Sequence, residues 1–151
     1  MAPNRRRIMW VVVADGEKAL LFENAGTRAQ PDLKLLSKRE LDIPPSREIG
    51  SDKPGRFPDA GPGQRSATEI TDWHQQEEDR FVHDVTERLN KLALKNRFEE
   101  LVLMADPRVL GNMRARLSKQ VAERIVVEVP KDLTKHPVSE IEKHLARALG
   151  F

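Results

Sequence analysis

Residues 8–14, Ile-Met-Trp-Val-Val-Val-Ala, are apolar at every position and rich in β-branched side chains. A strand apolar on both alternating faces is one covered on both sides, so this run predicts a central strand. Asp15-Gly16 then turns the chain, and residues 18–23 return at hairpin distance. After the turn signals Asn24-Ala25-Gly26 and Pro31-Asp32, residues 33–41 complete a meander of three antiparallel strands. Further along, Phe81, Val85, Leu89 and Leu92 recur at helical spacing behind Asp72, a residue suited to capping a helix, and Phe98 is placed to pack near its exit. Residues 100–105 form another apolar strand. Asp106-Pro107 pairs an N-cap with a proline at the first helical position and predicts a helix running to Gln120. Residues 125–129 make the last strand, and Pro137 opens a final helix that buries Val138, Ile141, Leu145 and Leu149 before Gly150 ends it.

The order β-β-β-loop-α-β-α-β-α places helices between the later strands, and right-handed crossovers lay those strands parallel to the first. The expected fold class is α/β: a mixed five-stranded sheet, three strands in an antiparallel meander and two parallel, with helices packed on it. At 151 residues the chain suits a single domain, 1–151, with a core of ordinary size.

The break in this pattern is the connection over residues 42–66. Five of the ten prolines and four of the eight glycines fall between Pro44 and Gly63, and the segment ends Gly61-Pro62-Gly63-Gln64-Arg65. Structureless connections longer than ~12–15 residues are uncommon in compact domains and are usually working loops or disordered ones, so function is sought here first.

Composition narrows the chemistry. The chain has no cysteine, which removes disulfides, thiolate metal sites and thiol nucleophiles and fits a reducing cytoplasm. Arg5-Arg6-Arg7 ahead of the apolar run imitates a signal peptide, but seven apolar residues before Asp15 are at or below the usual ~7–15, with no cleavage site following. No stretch approaches the ~20 apolar residues that span a bilayer, so a cytoplasmic protein without membrane contact is expected.

With 26 basic against 24 acidic residues, a partner must be argued from local clusters. Arg47, Lys53, Arg56 and Arg65 lie in the loop, and Arg108, Arg114, Arg116 and Lys119 lie in residues 107–120, which contain no acid. Cations clustered on a loop and a neighbouring helix suit a phosphate backbone and predict salt-dependent binding. There is no tyrosine, and the few aromatics are not interleaved with these cations, so base-stacking platforms are not indicated. His74 and Glu78 continue the apolar stripe towards the start of the long helix and are read as anchors beneath the loop. As a pair they supply two ligands where a zinc site needs three or more, so no metal and no cofactor is expected. Asp15 and Asp106 should end adjacent parallel strands. Paired there they could hold Mg²⁺ as in a ribonuclease-H-like nuclease, although each also has a simpler reading as a turn or helix cap. Ser66, Ser118 and the four histidines lack a nucleophile-elbow context. Trp10, Trp73 and Met104 are read as core or loop-seat residues.

Several of these segments, in this order, resemble the bacterial proteins named as required for attachment to host cells: residues 10–16, 52–56, 72–81 with His74, Glu77 and Glu78, 101–111 and 131–134. The match covers nearly the whole chain and departs at Asp106, where that family usually has proline. The same plan is similar to the central domain of eukaryotic and archaeal peptide-chain release factors, in which a catalytic Gly-Gly-Gln loop precedes a long helix. Gly63-Gln64 stands at that place here, with Pro62 where the first glycine would be. The resemblance implies a ribonuclease-H-like, release-factor-like fold. It also implies a tRNA or ribosome partner and, if the protein is an enzyme, hydrolysis of the peptidyl-tRNA ester with Gln64 and Gly63 placing a water. Any release activity is then expected to be codon-independent, as in rescue of stalled ribosomes, or to depend on a partner. The alternatives are a non-catalytic protein-interaction module with an indirect part in attachment, and the metal-dependent nuclease.

Overall fold

The computed structural model describes residues 7–41 and 67–151, with side chains from residue 72 onward in the second segment. Five strands form one mixed sheet in the order β3-β2-β1-β4-β5: β1 (Met9–Ala14), β2 (Lys18–Asn24), β3 (Leu33–Glu40), β4 (Glu100–Met104) and β5 (Ile125–Val129). The meander is antiparallel, and β4 and β5 run parallel to β1, as the strand pattern predicts.

All six residues of β1 are buried because the strand lies between two layers. Trp10, Val12 and Ala14 face one core, and Met9, Val11 and Val13 face the other. The first core is closed by α1 (Ala67–Leu94), α2 (Pro107–Arg114) and the short α3 (Lys119–Ala122), through Phe81, Val85, Leu89, Val109, Leu110 and Val121. The second is closed by α4 (Val138–Ala148), through Ile141 and Leu145. Alternation along a single strand thus divides the protein into its layers.

Two helix boundaries differ from expectation. Asp72 is not the cap of α1, which begins five residues earlier at Ala67. No glycine or proline occurs between 67 and 94 to stop the helix, so a locally good cap is overrun. The helix predicted from Pro107 to Gln120 breaks at Arg114, and Ser118 caps α3 by accepting from Val121 N at 3.2 Å. The break is imposed by Asn90 on α1, whose amide donates to Arg116 O (3.1 Å) and accepts from Ser118 N (2.8 Å). Val138, expected in the core, is 41 % exposed on the first turn of α4.

The helix exits follow backbone rules. Asn96 has φ 53°, with Asn96 N bonded to Ala93 O and Arg97 N to Leu92 O; this 5→2 and 6→1 pair ends α1 with a left-handed residue. Gly150, at φ 99°, ends α4 in the same way, with Phe151 N reaching Ala146 O. Among the described residues no helix is long and apolar enough to cross a membrane.

Candidate functional site

Residues 42–66 join β3 to α1, and Gly63, Gln64, Arg47, Lys53, Arg56 and Arg65 all lie outside the described residues. What is described is the floor on which α1 begins: the β1–β2 turn, the first half of α1, the start of α2 and the loop after β5.

Asp15 leaves β1 and folds the turn onto itself. Its Oδ1 accepts from Glu17 N and Lys18 N, both at 2.7 Å, while Asp15 N donates to Lys18 O at 2.9 Å. Its Oδ2 accepts from the Thr134 hydroxyl at 3.0 Å, which also reaches Asp132 Oδ1 at 2.7 Å. Asp106, at the end of β4, accepts from Val109 N at 3.0 Å and caps α2. The two aspartates do end adjacent parallel strands, yet each carboxylate is occupied by capping. Among the described residues no group of three His, Asp or Glu side chains is arranged to hold a metal ion.

Glu78 packs across the turn. A Cβ on Gly16 would lie 2.7 Å from Glu78 Oε1, 2.9 Å from its Cδ and 3.1 Å from its Cβ, so a larger residue there would displace the Glu78 side chain from the turn. Burial, a hydrogen bond and repulsion from Glu17, and the charge of Asp15 raise the Glu78 carboxyl above its ordinary value; Arg108 opposes them from 3.9 Å. A carboxyl raised in the folded state binds its proton more tightly there than in the unfolded chain. The contribution of Glu78 to stability is therefore fully present below the ordinary carboxylate value and is lost as pH rises through the raised one. Glu78→Gln, which mimics the protonated form, should raise Tm at pH 8, leave it nearly unchanged at pH 4 and remove that part of the wild-type slope. Thermal melts across this range check it, and a lower Tm at pH 8 would refute the account.

His74 lies one turn before Glu78. Its Nε2 is buried without a hydrogen-bond partner among the described residues, and its ring meets Trp73 edge-on at 5.2 Å. Trp73 is 39 % exposed and not core, whereas Trp10 and Met104 are buried as expected.

The cations of residues 107–120 separate into two kinds. Arg108 Nη2 binds Asp79 Oδ1 at 2.8 Å, beside Asn112 Nδ2 at 3.1 Å, and so fastens α2 to α1. Arg114 holds Glu128 of β5 through Nη2 at 2.6 Å and Nε at 3.0 Å. Arg116 and Lys119 are exposed and have no ion-pair partner among the described residues. The sequence reading missed the Gly16–Glu78 approach, the Glu17–Glu78 pair and the Asp15–Thr134–Asp132 link. Residues 131–134 stood out as a block, but nothing in them announced a partner 119 positions away.

Comparison with known proteins now adds to this geometry. The model of bacterial archaeo-eukaryotic release factor family 12 matches residues 8–145. The chain belongs to that family. This family 12 protein is also 30 % identical over 64 residues to an uncharacterized protein of Rickettsia prowazekii (strain Madrid E), a match spanning 41 % of this chain and 43 % of the relative. Among solved structures it is similar to the archaeal translation termination factor aRF1, with 13 % identity and a TM-score of 0.48, over 95 % of this chain and 42 % of that one. The chain thus spans less than half the length of each of these two proteins.

Proposed function

We propose that residues 1–151 of this family 12 protein form one domain of a cytoplasmic factor, which engages the ribosome or tRNA through the loop at 42–66 and acts in codon-independent release of stalled peptides. The observation that carries the reading is family membership across residues 8–145. It is supported by Gly63-Gln64, which ends the Gly/Pro-rich connection leading into α1, and by the loop cations Arg47, Lys53, Arg56 and Arg65. In this reading the Gln64 amide holds a water against the ester carbonyl of peptidyl-tRNA. The water oxygen bonds to the carbonyl carbon, the ester C–O bond breaks, the peptide leaves as a carboxylic acid and the tRNA regains its terminal hydroxyl. The protein's share is positioning and hydrogen bonding to the developing charge. Any part in host attachment follows indirectly from translation.

The test is sedimentation with ribosomes across a salt series, followed by peptidyl-tRNA hydrolysis. Gln64→Ala is expected to lower the hydrolysis rate about 10²-fold or more, the scale of losing one transition-state hydrogen-bond donor, with association unchanged. Absence of association at low salt would sink the proposal. Association with Gln64-independent hydrolysis would remove Gln64 from the catalytic role, and association without hydrolysis would leave a binding module.

A further inference from the structure

At the C-terminal end of α1, opposite the end at which the loop joins it, the chain builds a second cationic surface. Lys91 stands on the last turn of α1, Lys95 lies in the turn just beyond Leu94, and Arg97 follows the left-handed Asn96. The α2–α3 corner is fastened beside them. Asn90 holds the Arg116 carbonyl and the Ser118 amide, and Gln120 Nε2 donates to Ala93 O at 3.3 Å. Arg116 and Lys119 are therefore carried on a backbone bonded to the same turns.

All five cations are exposed, and among the described residues none has an ion-pair partner. The acids nearby are largely engaged elsewhere. Glu87 lies 3.6 Å from His83 Nε2, Glu99 accepts from Ile8 N at 2.8 Å, and Glu123 at the end of α3 remains. Arg124 does not join the cationic set: its guanidinium donates to the carbonyls of Ala93 and Phe98 and to Asn96 Oδ1.

We infer that Lys91, Lys95, Arg97, Arg116 and Lys119 form a docking surface for the phosphate backbone of a helical RNA. Unpaired cations on a fixed framework displace counterions from a phosphodiester backbone with little ordering cost, and their spread fits a regularly charged helix better than a single anion. The inference rests on the release-factor reading for the choice of RNA over other polyanions, and it concerns the end of α1 opposite the one at which the loop joins it. From Ala67 to Lys91 is 24 residues of helix, about 36 Å at 1.5 Å per residue. A partner that touches both the loop junction and this surface must extend over that span, as an RNA helix does and a mononucleotide does not.

The probe is a fluorescein-labelled 24-base-pair RNA duplex, titrated with the full chain from 50 to 300 mM salt. Lys91→Ala/Lys95→Ala and Arg116→Ala/Lys119→Ala are each expected to weaken binding about tenfold at 100 mM and to reduce the log–log salt slope by roughly 2. Lys131→Ala/Lys135→Ala, with the same charge change beyond β5, should alter affinity less than twofold. All these positions are exposed, so the variants are expected to fold, with circular dichroism as the check. Three results would overturn the inference: no duplex binding at 50 mM salt, equal weakening by the control pair, or polyglutamate competing as well as unlabelled duplex. Duplex binding by Gln64→Ala should match wild type, so failure of the catalytic proposal and failure of this surface are read separately.

Discussion

Truncating Phe98 to alanine should lower the unfolding free energy by about 3–5 kcal/mol, the range for emptying a fully buried aromatic site. Phe98 is 1 % exposed, and its ring stacks on Trp10 with centroids 5.0 Å apart and planes at 27°. The Arg124 guanidinium lies 5.4 Å above the ring and donates to the Phe98 carbonyl at 2.8 Å. Aromatic pairing and a cation over the ring each add roughly 0.5–1.5 kcal/mol beyond area, so the expected loss lies towards the top of the range. The site cannot collapse easily. Trp10 is fixed in central β1, and the chain enters β4 two residues after Phe98, from a left-handed turn that Arg124 itself clasps. Phe98→Leu retains most of the volume and should cost less than half as much. Chemical denaturation with an unchanged m-value measures both; a loss below 2 kcal/mol for the alanine would mean that the surrounding helices close over the gap.

What was legible in the sequence was local. Continuous apolarity marked β1 as central, and Asp106-Pro107 marked the start of α2 because capping is decided within one turn. β3 was legible as a strand but not in its register. Leu35 pairs with Phe22 and Ser37 with Leu21, so Leu36 is an extra residue at a bulge, half exposed on an edge strand. The break after Arg114 was not legible, because nothing in residues 114–117 disfavours helix; Asn90, 28 residues from Ser118, decides it. The same limit applies to the site. Arg108 and Arg114 read as free cations since their partners Asp79 and Glu128 are supplied by other elements. Asp15-Gly16 read as a turn, correctly, while the reason for its glycine stands on α1.

Asp15→Ala should destabilise the fold by about 2–4 kcal/mol, and Asp15→Asn by 1 kcal/mol or less. Hydrogen bonds to a charged group are worth roughly 1.5–3 kcal/mol each and add incompletely when they share one carboxylate. Alanine leaves the Glu17 and Lys18 amides without the oxygen that now accepts from both at 2.7 Å. It also detaches Thr134, which is 3 % exposed, from the β1–β2 turn, leaving its hydroxyl to Asp132 alone. Asparagine keeps an oxygen for the two amides and turns its NH₂ towards the Thr134 hydroxyl, which can rotate to accept while Asp132 takes no new charge. The pair of substitutions therefore separates two roles for the same carboxylate. A turn cap survives Asp15→Asn with stability and ribosome association intact. A metal-binding nuclease carboxylate would lose metal-dependent RNA cleavage in Asp15→Asn with little change in stability. Because Gly16 and Glu17 seat Glu78, loosening the turn with alanine should also diminish the pH dependence assigned to Glu78, which asparagine should preserve.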